Sequence, residues 1–185
     1  MKSEELAHVL RAAADVLGES DFIVIGSAAI LGSYPDEALP HMATRSDEAD
    51  LIPFVDPDGL KADLVEGAIG EGSPFHTLFG YYAQGVSEDT AKLPTGWRER
   101  LVPFDPPDAT PGCGFCLEPH DLAASKLVAG RPKDFEFVGA IIEHGLIDVE
   151  LLIKRVESVS RVDAPPIRIE RAVGWVRNRS DEAAP

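Results

Sequence analysis

The sequence predicts an α+β fold: a mixed sheet built from the first two thirds of the chain and packed with helices, followed by a helical C-terminal region. Two observations carry this. Short β-branched or alternating runs bounded by glycine, aspartate and proline lie before residue 119, and apolar positions recur at helical spacing after it. At 185 residues and 44% hydrophobic, the chain is long enough to bury a core without disulfides or a structural metal. No repeat or low-complexity segment divides it. Residues 1–179 read as a single domain, with a core at about 20–145, a helical part at 148–179 and a frayed tail at 180–185.

Taken in order, Leu6, Val9, Leu10, Ala13 and Leu17 share one helical face and Gly18 ends the pattern, which predicts a helix over 3–18. Phe22-Ile23-Val24-Ile25 predicts a buried strand, and Ser27 to Ser33 a helix opening from its end across Gly26. Residues 49–55 alternate as a second strand, with a helix from about 58 to 69. Segments 76–86 and 99–104 are expected as two more strands, and Phe115 to Glu118 as another. Helices follow at about 119–129, 132–144, 148–159 and 166–177, punctuated by Gly130, Gly145 and Pro165-Pro166.

Charge and patterning exclude several classes of function. The longest apolar stretch, residues 21–31, is broken by Gly26 and Ser27, far short of the roughly 18 to 20 residues a membrane helix requires. The opening Met1-Lys2-Ser3-Glu4-Glu5 turns acidic at once, unlike a secretory leader, and predicts a cytoplasmic address. With 32 acidic and 17 basic residues the formal charge is −15, a field that repels phosphate backbones and disfavours extended DNA or RNA binding. A local run of cations between Lys126 and Lys133 suits one small polyphosphate better than a polymer. Cys113-Gly114-Phe115-Cys116 has no second cysteine pair, and the segment after it reads as a strand before Pro119, so the thiols are expected to be reduced and structural. The five histidines lack ligand spacing, and no GxSxG elbow is present.

Three constellations remain. Gly26-Ser27 stands where backbone amides and a hydroxyl can meet a phosphate, although an ordinary helix cap uses the same residues. Glu48 and Asp50 lie two apart on a strand and point to one face; two adjacent carboxylates invite a cation between them, unless this is a solvated strand edge. Lys126 sits among apolar neighbours on a helix, and Lys133 in the first turn of the next, where a cation opposes the helix dipole unless an anion is near. The alternative is two exposed lysines, with Asp134 near a cap.

Together these residues resemble the minimal nucleotidyltransferase fold, especially the small bacterial proteins related to abortive-infection and toxin-antitoxin nucleotidyltransferases. The resemblance spans roughly residues 20 to 145. It implies a nucleotidyltransferase-like mixed sheet, with Gly26 and Ser27 against the nucleotide phosphates, Glu48 and Asp50 as the catalytic pair binding Mg²⁺ or Mn²⁺, and Lys126 and Lys133 neutralising the triphosphate. Asp134 would be a structural or lysine-orienting carboxylate. The implied reaction moves a nucleotide from an NTP to a hydroxyl of RNA, such as a tRNA end, or of protein, in an enzyme of a two-gene defence or toxin-antitoxin pair with a cognate partner protein. The chain departs from the family pattern in carrying Glu48 where aspartate is usual and in holding Gly26-Ser27 farther upstream of the acids. It also offers Gln84, with Asp105 a looser choice, where a third carboxylate is expected. These departures keep a second reading open, a catalytically silent nucleotide- or protein-binding module on the same fold. A third is an interaction protein whose acidic surface takes a basic partner.

Overall fold

The computed structural model describes residues 1–182, with side chains to Arg179. Among them are five strands and seven α-helices: α1 (Ser3–Leu17), β1 (Asp21–Ile25), β2 (Glu48–Pro53), α2 (Leu60–Ile69), α3 (Pro74–Phe79), β3 (Tyr82–Gly85), β4 (Val102–Phe104), β5 (Cys113–Cys116), α4 (Pro119–Ala129), α5 (Pro132–Glu143), α6 (Val149–Glu157) and α7 (Pro166–Glu182). The sheet is mixed, in the order β3-β2-β1-β5-β4. β1 runs antiparallel to β2 and parallel to β5, β2 is parallel to β3, and β4 is antiparallel to β5. This is the expected α+β architecture, with a helical C-terminal region in which α4 packs against α5, α6 and α7.

β1 is central because its sequence allows nothing else: Phe22, Ile23, Val24 and Ile25 are all buried, as a strand covered on both faces must be. α1 places Leu6, Val9, Leu10, Ala13 and Ala14 in the core, and Gly18 closes it in the left-handed conformation at φ 67°. The backbone at Gly112 passes so close to α1 that an added Cβ would lie 2.4 Å from the Leu10 carbonyl oxygen.

Three local expectations are corrected. Residues 76–86 do not form one strand. Ser73 accepts a hydrogen bond from the His76 amide at 3.1 Å, Pro74 opens α3 and Gly80 ends it at φ 80°, so cap chemistry makes a helical turn before β3 begins at Tyr82. Segment 99–104 likewise divides into a 3-10 turn over Trp97–Arg100 and the short β4. The last strand is Cys113–Cys116 rather than Phe115 to Glu118; Glu118 instead caps α4, accepting from the amides of His120 and Asp121. At the other end of the chain, α7 is described through Glu182, and residues 183–185 of the expected frayed tail lie outside the described residues. None of the described helices is long and apolar enough to cross a membrane.

Candidate functional site

The site begins where β1 ends. Register places Ile25 opposite Asp50, and Asp50 in turn beside Gln84, so one row of the sheet reads Ile25, Asp50, Gln84 across β1, β2 and β3. Ala49 is fully buried on the other face, which leaves Glu48 and Asp50 projecting together as the two-residue spacing requires. The two carboxyl groups therefore crowd each other on one face of β2. Burial and then the Glu48 charge push the Asp50 carboxyl up to about 7, against a smaller downward pull from Lys126 and Arg131.

Gly26 is required by this arrangement. Its backbone lies at φ 65° and ψ −164°, and a Cβ there would stand 1.8 Å from Asp50 Oδ2. The Asp50 carboxylate therefore rests against the bare backbone after β1. The segment beyond, Ser27–Gly32, is the expected helix, in the form of a 3-10 helix of six residues. So short an element has little dipole, and attraction for an anion must come from side chains.

Lys126 supplies it. Although buried, it reaches from α4 to donate a hydrogen bond from Nζ to Ser27 Oγ at 2.9 Å, and it lies 4.5 Å from the Phe137 ring centroid. Its carboxylate partner is Asp134 in the first turn of α5, at 3.5 Å. Burial lowers the Lys126 pKa, and Asp134 and Asp50 oppose that shift. Asp134 is fully buried and also accepts from the Arg131 amide at 3.2 Å and its Nε at 2.8 Å. It orients both cations, and the sequence foresees this only for lysine.

Gly26, Ser27, Glu48, Asp50, Lys126 and Lys133 all line one cleft of about 480 Å³. Gln84 lines it too, whereas Asp105, the looser alternative for a third acid, does not. Sequence reasoning missed three further cations of the cleft: Lys92, Arg131 and Arg168. Arg131 was legible in the Gly130-Arg131-Pro132-Lys133-Asp134 run. Lys92 and Arg168 come from distant segments with no motif around them. An adjoining hollow of about 390 Å³ shares Ser27, Ser46, Lys126 and Lys133 and adds Arg45. In a protein of formal charge −15, five cations among the described residues thus surround one cleft, where the described acids are Glu48 and Asp50.

The donor set suits a divalent cation. Two crowded carboxylates are the groups a hard oxygen-seeking ion takes over, and such an ion is commonly held by one or two carboxylates together with substrate phosphates. No cluster of three or more His, Cys, Asp or Glu side chains able to hold a metal occurs among the described residues. Elsewhere, Cys113 is half-exposed, Cys116 buried, and neither is in a disulfide; burial pushes the Cys116 thiol up to about 12, so it is an inert core group.

No curated protein and no solved structure matches the chain significantly. A family model does match, over residues 4–174, and its description is "Nucleotidyltransferase of unknown function (DUF6036)". That span takes in the sheet, the cleft and the C-terminal helices as far as the middle of α7. The chain belongs to this nucleotidyltransferase family.

Proposed function

We infer that the protein is a metal-dependent nucleotidyltransferase that moves a nucleotide from an NTP to a hydroxyl of RNA, such as a tRNA end, or of protein. The observation that carries this reading is the Glu48–Asp50 pair facing a cationic wall of Ser27, Lys126, Arg131 and Lys133 within one cleft. In the reaction the acceptor oxygen bonds to the α-phosphorus, the bond from that phosphorus to the α,β-bridging oxygen breaks, pyrophosphate leaves with the electron pair, and the hydroxyl proton passes to water. Glu48 and Asp50 would hold Mg²⁺ or Mn²⁺, which when bound would acidify the attacking hydroxyl and offset phosphate charge. Ser27 and Gly26 would contact the phosphates, and Lys126, Lys133 and Arg131 would stabilise the charge that builds on the departing pyrophosphate. Asp134 would keep Lys126 and Arg131 aimed at it.

Thermal unfolding with each NTP, with and without Mg²⁺, tests the reading. A ligand at about 100 times its Kd adds roughly 2.7 kcal/mol. A Mg²⁺-dependent shift in the wild type that disappears in Glu48→Gln/Asp50→Asn is expected; no shift with any nucleotide would sink the proposal. A second reading, a catalytically silent binding module, is favoured by one observation: Gln84 stands in register with Asp50 where a third acid is expected. Metal-dependent release of pyrophosphate separates the two. A place in a two-gene defence or toxin-antitoxin pair, with a cognate partner protein, rests on the resemblance alone.

A further inference from the structure

Several exposed apolar side chains gather on one face of the molecule, formed by α1, α2 and α3. Leu60 and Leu64 of α2 and Leu78 of α3 are 60, 58 and 75% exposed, and Val16 of α1 and Phe79 of α3 are exposed beside them. Two contacts align these helices. Lys61 Nζ, at the start of α2, meets Glu19 Oε1 just past the end of α1 at 2.5 Å, and toward the other end of α1 the His8 ring lies 4.5 Å from that of Phe79. α1 therefore runs antiparallel to α2, with α3 beyond, and the two longer helices pack on each other. Ala62, Val65 and Ile69 turn α2 toward the core, so Leu60, Leu64 and Ala68 form a ridge on its outward shoulder. His8, Ala12 and Val16, at the same spacing, form the facing ridge of α1.

His8, Phe75, Phe79 and Tyr81 close one end of this face. Their ring centroids lie 4.5 to 6.1 Å apart, ring packed on ring, so the cluster offers an outer surface and not a pocket. Acids rim the face. Glu4, Asp15, Asp63 and Glu71 are exposed, and among the described residues none of them forms an ion pair. The basic residues of the two longer helices are already engaged, Lys61 with Glu19 and Arg11 with the Asp108 carbonyl. None of these side chains lines the cleft.

We propose that this face docks a basic amphipathic helix of another protein, with apolar side chains on one side and lysine or arginine flanking them. Exposed apolar surface rimmed by polar groups marks an interaction site, and parallel ridges of side chains accept the ridges of a further helix. The acids then choose the partner: unpaired carboxylates around an apolar strip complement a basic segment. Two other occupants are opposed by the same charges. A second copy of this chain, of formal charge −15, would set these acids against one another, and an anionic membrane surface would be repelled. Docking here is independent of the nucleotidyltransferase reading, because no cleft residue takes part.

The test titrates a fluorescent leucine-lysine peptide, its leucines on one helical face, into the full chain. The controls are a scrambled peptide of the same composition and a leucine-glutamate peptide of the same pattern. The patterned basic peptide is expected to bind at least about tenfold more tightly than either control. In Leu64→Glu/Leu78→Glu that preference should vanish. These substitutions add charge of the attracting sign, so the loss can come only from the apolar contact. Both leucines are exposed, and the variant should melt with the wild type. Asp15→Lys/Asp63→Lys, which leaves the apolar ridge in place, should weaken the same peptide. Val162→Glu, at an exposed side chain between α6 and α7, should leave the preference intact. Equal binding of the scrambled peptide would mean attraction by net charge alone and overturns the proposal, as does a preference that survives Leu64→Glu/Leu78→Glu. Sedimentation and vesicle flotation address the other occupants. A wild-type dimer that the leucine substitutions dissociate would assign the face to a second copy, and binding to phosphatidylserine vesicles lost in that variant would assign it to a membrane; either result overturns the proposal.

Discussion

Asp50 is the residue on which the most physics converges. Its carboxyl is held at about 7 in the folded protein against an ordinary 3.8, so the unfolded chain releases this proton first. Stability contributed by the protonated form is fully present below the unfolded value and is lost as pH rises through the folded one. In EDTA, Asp50→Asn should therefore stabilise the protein at pH 8 by about 2 kcal/mol, and the gain should disappear near pH 4. Urea melts at the two pH values check this; an unchanged or lowered midpoint at pH 8 would refute it. Gly26→Ala tests the same contact from the other side. With φ at 65° and Asp50 Oδ2 in the space of the new methyl, it should cost about 2 kcal/mol or more and displace the carboxylate. A Gly26→Ala protein of wild-type stability would show that the carboxylate does not rest on that backbone. The close approach was invisible in the sequence, where Gly26-Ser27 reads equally well as a cap. Only strand pairing brings Asp50 alongside.

At the scale of elements, α4 and α5 carry the cationic wall, and each is fixed by a carboxylate. Glu118 caps α4 through the amides of His120 and Asp121, at 3.1 and 3.3 Å, and contacts His120 Nδ1 at 2.5 Å. Burial would raise its pKa, but the His120 contact and these amides outweigh it and hold Glu118 below its usual 4.5. The stabilisation is thus present above pH 4.5 and lost as pH falls through the folded pKa. Glu118→Gln should cost about 1 kcal/mol at neutral pH and progressively less in acid, as chemical unfolding across pH would register. For α5, Asp134 is paired with Lys126 and Arg131, and removing it strands a buried ammonium. Asp134→Asn should cost about 3 kcal/mol, much of which Lys126→Met should restore in the double variant. Additive losses would mean that the two side chains are energetically independent. The helices were legible because Pro119, Gly130 and Pro132 mark their ends. The residues 76–86 were misread because tyrosine and phenylalanine favour strands, while the Ser73-Pro74 start and the Gly80 stop decide for a helical turn.

Over the whole molecule, net charge and local field have opposite signs. Two separate sources place cations around the cleft: the compact Lys126–Lys133 segment, and the distant pair Lys92 and Arg168. The global −15 should prevent a long duplex from binding even though the cleft accepts a small polyanion. Electrophoresis at physiological salt should show free DNA at protein concentrations where Mg²⁺ and NTP raise the melting temperature. A retained duplex would overturn this view of the surface.

The sequence by itself determined the α+β order of strands and helices, the Glu48–Asp50 pair on one face, and the Lys126 and Lys133 positions, because each follows from local periodicity, caps and spacing. Tertiary structure alone decided that Gly26 must lack a side chain beside Asp50, that Gln84 falls in register with the acids, that Asp134 serves two cations, and that Lys92 and Arg168 reach the same cleft. These depend on strand register and on the packing of distant helices. Contacts between residues far apart in the chain leave no periodic trace in a single sequence.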